Sequence, residues 1–400
     1  MVYKEEIIEA FQNQQLQYSE DKSVKREFLS QVAIQSTHII VLSGVRRCGK
    51  STLMRQIIKT YYQNIAFFNF EDARIYGFSV EDFSKLDEVM GNDREAYFFD
   101  EIQNIKGWEV FVRQLHDRGK KVFITGSNAN LLSKELGTRL TGRHLSNEIF
   151  PFSYQEFLLY FNTTDTDEQF LNYIQKGGFP EYLRNQQTEI LQTLLKDVLY
   201  KDIAIRYGIK NTDILFHITL FLISNIGKEV SINGIKNAFN VGSTSSVSDY
   251  LHWLTETYLL FFLPKFSWSA KSIIRNPKKV YTIDSGFANN NSLSFTSDYG
   301  RLLENYVYLQ LRKKNFNIYY FKEKKECDFI VFEHSECKYL IQVCANLHAD
   351  NRQREMDGLL EAMIFFGVKI GYILTMNQTD SMIIDDKTVK IMKAKEFSFH

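Results

Sequence analysis

Two glycines five positions apart, followed at once by Lys and Ser, make Gly44-Val45-Arg46-Arg47-Cys48-Gly49-Lys50-Ser51 the most constraining segment of the chain. The run His38-Ile39-Ile40-Val41-Leu42, apolar after its first residue, directly precedes it. A buried strand that leads through a glycine-permitted turn into a helix brings the first N–H groups of that helix to face an anion. The sequence therefore predicts a phosphate-binding loop and the binding of a nucleoside triphosphate.

Each residue type in this loop has a chemical role. Gly44 and Gly49 allow the backbone to wrap around anionic oxygens, Lys50 is expected to reach the β- and γ-phosphates, and the Ser51 hydroxyl is expected to ligate Mg²⁺. The predicted nucleotide-binding residues are Gly44, Val45, Arg46, Arg47, Cys48, Gly49, Lys50, Ser51 and Thr52. The two arginines have alternative interpretations: contact with phosphate, contact with a neighbouring subunit, or simple solvation.

A second motif indicates hydrolysis as well as binding. The segment Ala96-Tyr97-Phe98-Phe99-Asp100-Glu101 reads as a buried strand that ends in two carboxylates. Asp100 suits the water shell of Mg²⁺, and Glu101 suits polarisation of the attacking water. Paired acids are common on protein surfaces, but together with the phosphate-binding loop they predict an active site.

Further candidate catalytic residues follow the next predicted strand, 121–126. Ser127 and Asn128 come directly after it, where a polar side chain can sense the γ-phosphate or position water. Arg139 and Arg143 are candidates for an arginine finger that acts in cis or from a neighbouring subunit in a homo-oligomer. The alternative is that both are surface arginines. Arg143 is the preferred candidate because an apolar segment, 148–152, follows it closely.

Composition predicts a cytoplasmic protein without a membrane span. The formal net charge is zero, so any attraction to nucleic acid must be local. The four cysteines lack the spacing of paired metal ligands or of a secreted disulfide framework, which favours free thiols. The N-terminus lacks a signal-peptide core, and no apolar run reaches the roughly 18 residues of a membrane helix.

The middle of the chain reads as mostly helical. Residues up to Thr37 predict a helical arm, and 152–207 predict further helices. Residues 212–266 predict a winged-helix-like order, with Ser231 capping one helix and 246–254 as a recognition-like helix. That helix carries no Lys or Arg, so a structural connector is favoured over DNA readout.

A locally basic stretch follows. Residues 264–325 hold twelve lysines and arginines against four acidic residues, with aromatic residues interleaved. Such a surface is typical of contact with a nucleic-acid backbone or an acidic protein, although solvated helix faces give similar counts.

Several motifs together resemble a known family. They are the phosphate-binding loop, Phe-Phe-Asp-Glu-Ile-Gln at 98–103, Ile-Thr-Gly-Ser-Asn at 124–128, and Pro-Phe-Ser-Tyr-Gln-Glu-Phe at 151–157. The chain resembles prokaryotic AAA-type P-loop ATPases that carry a C-terminal restriction-endonuclease-like domain of the PD-(D/E)xK type. The resemblance implies ATP as the nucleotide. It also implies an α/β fold in four parts: a three-layer ATPase core with a parallel sheet at 1–151, a helical lid at 152–210, a winged-helix-like segment at 211–266, and a mixed α/β nuclease-like domain at 267–400.

The resemblance also implies a metal site in the nuclease-like domain, and this sequence departs from it. Glu304 and Asp328 match two of the expected carboxylates, but Gln342 and Cys344 stand where a carboxylate and a lysine are expected. An amide is a poorer Mg²⁺ ligand than a carboxylate, and a thiol carries no positive charge. We therefore predict a degenerate site without nuclease activity, unless Lys338, Glu326 or Glu355 supplies a replacement group.

Three functions remain open from the sequence. The preferred one is a Mg²⁺-dependent ATPase whose nucleotide state controls contacts with DNA or a protein partner. The second is an ATP-dependent nuclease, and the third is a nucleotide-sensing module with little turnover.

Overall fold

The structure is a computed structural model that describes residues 1–17, 23–128, 140, 142–293 and 298–399. It divides into two compact units. The first comprises Met1–Tyr160 with Glu256–Tyr258, and the second comprises Phe161–Thr255 with Leu259–His400.

The first unit alternates strands and helices. Its elements in chain order are α1 Lys4–Gln17, β1 Ile39–Ser43, α2 Lys50–Tyr61, β2 Ile65–Asn69, α3 Phe83–Met90, β3 Ala96–Asp100, α4 Trp108–Asp117, β4 Lys121–Gly126, β5 His144–Glu148 and α5 Tyr154–Phe161. Short 3₁₀ turns lie at Glu27–Ser30, Ala73–Ile75, Val80–Asp82 and Ile102–Asn104. The predicted strands and the helix after the loop are confirmed to within a few residues.

The five strands form one parallel sheet in the order β2-β3-β4-β1-β5. The chain leaves β1 for the far edge and returns through β3 and β4, so strand order reverses beside β1. In open parallel sheets, ligands bind outside the carboxyl ends of the strands at such a reversal. The loop between β1 and α2 lies at this position.

Alternating strand residues fill the two faces of this sheet. One face packs against α1, α3 and α4 in a continuous apolar core that includes Phe11, Tyr97 and Phe111. On the other face Phe98 and Phe123 stack at 4.6 Å, and Tyr62, the residue after α2, contacts both rings edge-on. The sheet thus lies between two helical layers and holds the β1–α2 loop on a rigid base.

The second unit begins with helices and ends in a mixed sheet. Its elements are α6 Asp167–Lys176, α7 Pro180–Asn185, α8 Thr188–Asp197, α9 Thr212–Ser224, β6 Glu229–Val230, α10 Ile232–Ala238, α11 Thr244–Glu256, β7 Leu260–Pro264, α12 Ala270–Arg275, β8 Lys278–Thr282, α13 Ser285–Asn291, α14 Tyr299–Lys313, β9 Asn317–Lys322, β10 Glu326–Glu333, β11 Glu336–Val343, α15 Ala349–Phe366, β12 Ile370–Thr375, β13 Asp380–Ile384 and β14 Lys387–Lys393. A π-helical segment, Val198–Ile205, continues α8.

Two sheets organise this unit. A small antiparallel sheet has the order β6-β8-β7, and a six-stranded mixed sheet has the order β13-β14-β12-β11-β10-β9. Helix α15 covers the mixed sheet through Met356, Leu359 and Met363, which pack against residues such as Ile330 and Ile373. Glycine at position 358 permits the close approach, since a Cβ there would lie 2.0 Å from the backbone oxygen of Glu326.

The predicted fold class is confirmed: an α/β chain with a parallel sheet, many helices and a C-terminal mixed sheet. The segment interpreted as winged-helix-like contains α9, β6, α10, α11 and β7, and Ser231 accepts from the Gly234 amide at 3.0 Å as a helix cap. The winged-helix interpretation itself stays a prediction. The small sheet extends past residue 266, because β8 is its central strand. The four-part division of the chain stays a prediction. None of the described helices is long and apolar enough to cross a lipid bilayer.

Candidate functional site

The β1–α2 loop has the backbone geometry that its glycines predict. A Cβ at position 44 would lie 2.2 Å from the backbone oxygen of Ile149. Gly49 has φ = 101° and forms the N-cap of α2 without a side-chain cap, so the first turn of the helix is left open toward the loop. A Cβ at position 49 would lie 2.6 Å from Arg26 Nη1, so a side chain at either position would force the loop to shift. The loop as it stands fits an anionic group at a helix N-terminus.

Arg26 supports the loop from behind. Its guanidinium donates to the Cys48 carbonyl at 2.9 Å and to the Phe150 carbonyl at 2.7 Å, and it pairs with Glu156 at 2.8 Å. Arg26 and Glu156 are both buried. Sequence reasoning missed this pair, because its partners are 130 residues apart and neither belongs to a recognisable motif.

The predicted magnesium ligands lie together. The Ser51 hydroxyl donates to Asp100 Oδ1 at 3.0 Å, and the Thr125 hydroxyl donates to the same oxygen at 2.5 Å. Burial, followed by repulsion from Glu101, raises the pKa of Asp100 above its ordinary value. A hydroxyl and a carboxylate are donors that suit Mg²⁺, which in such sites takes few protein ligands and adds phosphate and water oxygens.

Lys50 is buried but only loosely held. Its ammonium donates to the carbonyls of Gly44 and Val45, both at 3.1 Å, and lies 3.8 Å from Glu101 Oε1. Burial disfavours its charged form, but the surrounding negative groups outweigh this effect, so its pKa is raised. Lys50 therefore stays charged, and its carbonyl contacts can be exchanged for phosphate oxygens.

Glu101 is held in an unusual backbone conformation. Its φ is 53°, a left-handed value that a non-glycine residue rarely adopts and that is enriched at functional sites. Its amide donates to Thr125 Oγ1 at 2.9 Å, and its carboxylate accepts from Gln103 Nε2. Gln103 Nε2 also donates to Ser127 Oγ at 3.4 Å, so the residue after β4 joins this network. Asn128 is fully buried next to Ser127.

Two further groups lie at the rim of this site. Glu71, just beyond the end of β2, pairs with Arg46 at 3.4 Å, and burial followed by repulsion from Glu101 raises the pKa of its carboxyl. Arg47 is exposed and has φ = 63°. Sequence reasoning missed Glu71. A signal was present, because Glu71 follows the end of β2, and the carboxyl end of β2 lies beside that of β3, which carries Asp100.

Arg143 lies at the amino-terminal end of β1, opposite the carboxyl end that leads into the loop. Its carbonyl accepts from the amide of Ile39, the first residue of β1, and its guanidinium pairs with Asp117 at 2.6 Å. The five-residue length of β1 separates this end from the loop by about 16 Å. Of the two alternatives that the sequence leaves open for Arg143, this separation from its own loop disfavours action in cis. A role across a subunit contact stays a prediction, and Arg139 lies outside the described residues.

A second group of ionised side chains lies within the C-terminal unit. Lys279 on β8 is 1% exposed, and its ammonium contacts Asp328 Oδ1 at 2.7 Å, Glu326 Oε1 at 2.8 Å and Glu304 Oε1 at 3.0 Å. We call these four residues the Lys279 cluster. Tyr281 adds a hydroxyl that donates to Glu304 Oε1 at 2.6 Å.

Burial and the close spacing of charges shift the pKa values of the cluster. The pKa of Glu304 is raised to about 7, first by burial and then by repulsion from Asp328. Burial works against the charge of Lys279, but Asp328 and Glu304 outweigh it and raise its pKa well above the ordinary value. Lys279 thus remains an ammonium ion inside the protein.

The other residues of the predicted nuclease-like site have separate roles. Gln342 accepts from the Asp328 amide at 3.2 Å and donates to Glu355 at 2.6 Å, so its side chain braces β10 against α15. Cys344 contacts Asn346 and Asn351 instead, and burial raises the pKa of its thiol to about 11.

The structure also locates the three groups considered as replacements. Glu326 belongs to the cluster, Glu355 bonds Gln342, and Lys338 pairs with Glu333 elsewhere on the sheet. The ammonium comes instead from Lys279, which sequence reasoning counted only as part of a basic stretch. All four cysteines are free thiols. Among the residues that the structure describes, no group of three or more His, Cys, Asp or Glu side chains is arranged to hold a metal ion.

A cavity of about 700 Å³ lies beside α11 in the second unit. Its lining includes Thr244, Ser248 and His252 of that helix, with Arg275 and Lys278 facing them. The helix that lacks basic residues therefore borders a basic cavity wall.

Family models match three successive segments of the chain. A family model described as an AAA domain matches residues 36–158, and two domains of unknown function, DUF8612 and DUF4143, match 167–298 and 299–397. A solved structure, the Walker-type ATPase PABY2304 of Pyrococcus abyssi, aligns with 68% of this chain and 99% of its own at a TM-score of 0.43 and 15% identity.

Two relatives match most of the chain. An uncharacterized protein of Methanocaldococcus jannaschii, MJ1544, is 37% identical over 352 residues, 81% of this chain and 78% of the relative. An uncharacterized protein of Haemophilus influenzae is 32% identical over 364 residues, 84% of this chain and 90% of the relative. The chain therefore belongs to the same family as these two proteins, and its residues 36–158 match the AAA domain model.

Proposed function

We propose that this protein binds ATP with Mg²⁺ and hydrolyses it. The observation that carries the proposal is the 3.0 Å contact between Ser51 Oγ and Asp100 Oδ1, directly beside a buried lysine that bonds only to backbone carbonyls and a distant carboxylate. Phosphate, metal and water thus each have a matching group at one edge of the sheet.

Each residue has a defined task in this proposal. Lys50 exchanges its carbonyl contacts for phosphate oxygens, and Ser51 and Asp100 hold the metal, which neutralises charge on the phosphates when it is bound. Glu101 orients the attacking water. Gln103 Oε1 is buried and lacks a hydrogen-bond partner among the described residues, so it is an acceptor that a water beside Glu101 can satisfy.

The test is steady-state ATP hydrolysis with Mg²⁺ for the wild type, Glu101→Gln and Glu95→Gln. The two changes are chemically identical and lie just outside opposite ends of β3, since Glu95 precedes Ala96 and is exposed. We expect turnover to fall at least about 100-fold in Glu101→Gln, with nucleotide binding retained, and to be unchanged in Glu95→Gln. Equal turnover in all three proteins would refute hydrolysis at this site and favour a nucleotide-sensing module.

We further propose that nucleotide state controls contacts with DNA or a protein partner. The support for DNA is the basic wall of the α11 cavity, formed by Arg275 and Lys278. Part of the basic excess predicted from 264–325 is offset, however, because Lys279 is buried and Lys322, although partly exposed, pairs with Glu229 and Glu326.

DNA stimulation of ATP turnover should therefore depend on this wall. We expect an Arg275→Ala/Lys278→Ala variant to lose stimulation by duplex or single-stranded DNA while keeping its basal turnover. A Lys271→Ala control, on α12 but outside the cavity lining, should behave as the wild type. Absence of stimulation in the wild type would favour a protein partner, and cleaved DNA would contradict our view that the C-terminal unit lacks nuclease activity.

A further inference from the structure

The ammonium of Lys279 is surrounded by three carboxylates. Its three carboxylate partners come from two elements, Glu304 from α14 and both Glu326 and Asp328 from β10, and they converge on one point at 2.7–3.0 Å. A lysine ammonium has three N–H donors. Each of them is used by one carboxylate, so the group has no donor left for a substrate.

Neighbouring groups hold the carboxylates of Asp328 and Glu304 in place. Asp328 Oδ2 accepts from the Val343 amide at 2.9 Å, which leaves Oδ1 to face the ammonium. Tyr281 donates to Glu304 on the side of β8. The carboxylates are thus held in position by groups other than Lys279, as metal ligands are by their supporting hydrogen bonds.

We propose that Lys279 serves as a built-in cation that takes the place of a divalent metal ion among Glu304, Glu326 and Asp328, and that removal of its ammonium opens a site for a hard divalent cation. This proposal does not depend on the proposed ATPase activity. It gives a physical reason for the predicted absence of metal-dependent nuclease activity, since the ammonium cannot bind and activate water as a metal does.

The geometry also indicates which cation the opened site prefers. The nitrogen-to-oxygen distances of 2.7–3.0 Å define a cage that must contract slightly around any metal. Ca²⁺ takes oxygens at about 2.3–2.6 Å in flexible geometry, whereas Mg²⁺ demands about 2.0–2.1 Å and an octahedral shell. We therefore expect Ca²⁺ to bind more tightly than Mg²⁺.

Calorimetric titration of the full chain with Ca²⁺, without nucleotide, tests the proposal. We expect Lys279→Met to gain one Ca²⁺ site that the wild type lacks, and Lys279→Met/Asp328→Asn to lose it. Lys322→Met is the matched control, because Lys322 also contacts Glu326, at 3.2 Å, but lies partly exposed outside the cage. It should gain no site.

Thermal unfolding gives an independent result if Lys279→Met is too unstable to titrate. Ca²⁺ at 100 times its dissociation constant should raise the unfolding midpoint of Lys279→Met by about 5–10 °C and leave the wild type unchanged. Lys279→Met/Glu304→Gln carries one carboxylate less, and it should fold without metal and respond less to Ca²⁺. Equal Ca²⁺ responses in Lys279→Met and Lys322→Met, or Asp328-dependent Ca²⁺ binding by the wild type, would overturn the proposal.

Discussion

Among the residues that the structure describes, two lysines are buried beside carboxylates, and they are held in opposite ways. Lys50 bonds two backbone carbonyls at 3.1 Å and lies 3.8 Å from its nearest carboxylate, whereas Lys279 contacts three carboxylates at 3.0 Å or less. Charge-assisted contacts of the second kind are stronger than bonds to neutral carbonyls. A buried lysine that is to bind an anionic ligand must keep hydrogen-bond donors that can be released to that ligand. A buried lysine that takes the place of a metal ion must have all its donors engaged by carboxylates.

The largest expected effect comes from replacing Lys279, the lysine that contacts three carboxylates. Lys279→Met leaves two buried carboxylates, Glu304 and Asp328, without their counter-charge, so we expect the free energy of unfolding to fall by about 3–5 kcal/mol. Urea denaturation measures it. Lys322→Met removes a partly exposed lysine from the same neighbourhood and should cost less than about 1 kcal/mol. Similar losses for the two variants would show that Lys279 is not the centre of the cluster.

Replacing Lys50 should have the opposite result, with a large effect on ATP binding and a small effect on stability. We expect Lys50→Met to weaken ATP binding about 10- to 100-fold, since a charged hydrogen-bond donor to phosphate is lost, while stability without nucleotide changes by less than about 1 kcal/mol. Nucleotide titration and urea denaturation on the same samples measure both quantities. The control is Lys59→Met, an exposed lysine near the other end of α2. A large loss of stability in Lys50→Met would remove the distinction between the two lysines.

A smaller effect concerns the residue that braces the cluster. Gln342→Glu places a carboxylate against Glu355 and removes the amide donor that Glu355 accepts at 2.6 Å, so we expect a loss of about 1–3 kcal/mol. The exchanged pair Gln342→Glu/Glu355→Gln restores one donor and one acceptor and should recover most of it. Failure of the exchange to rescue stability, measured by urea denaturation, would mean that Gln342 is required for another reason.

The smallest effect tests whether the site at the β1–α2 loop is complete within one chain. Arg143→Ala removes a partly exposed ion pair and should change the free energy of unfolding by less than about 1 kcal/mol. At protein concentrations where the chain is monomeric, ATP turnover should equal that of the wild type. A loss of turnover that appears only in assembled protein would identify Arg143 as a contribution from a neighbouring subunit, whereas a loss in the monomer would contradict its placement at the amino-terminal end of β1.

The two lysines also show what the sequence could predict. The β1–α2 loop is a local pattern whose residue types dictate a backbone shape, so Gly44, Lys50, Ser51 and the paired acids of β3 were found before the fold was known. Lys279 is 25 residues from Glu304 and 49 from Asp328, and no local spacing connects them. Resemblance located the carboxylates, but the ammonium entered from a strand outside the expected motif, and only the tertiary fold brings it there. The role of Arg143 stays a prediction, because sequence order alone does not reveal at which end of the strands a residue lies.

Arg26 sets a limit on how the AAA domain can be excised. The matched domain begins at residue 36, but Arg26 holds the Cys48 carbonyl of the loop and pairs with Glu156 near its end. A fragment cut at the domain boundary would retain every residue of the nucleotide-binding motif and yet leave Glu156 buried without its counter-charge. The smallest part of this chain expected to bind nucleotide as the whole protein does therefore starts before residue 26, in a segment that motif searches pass over.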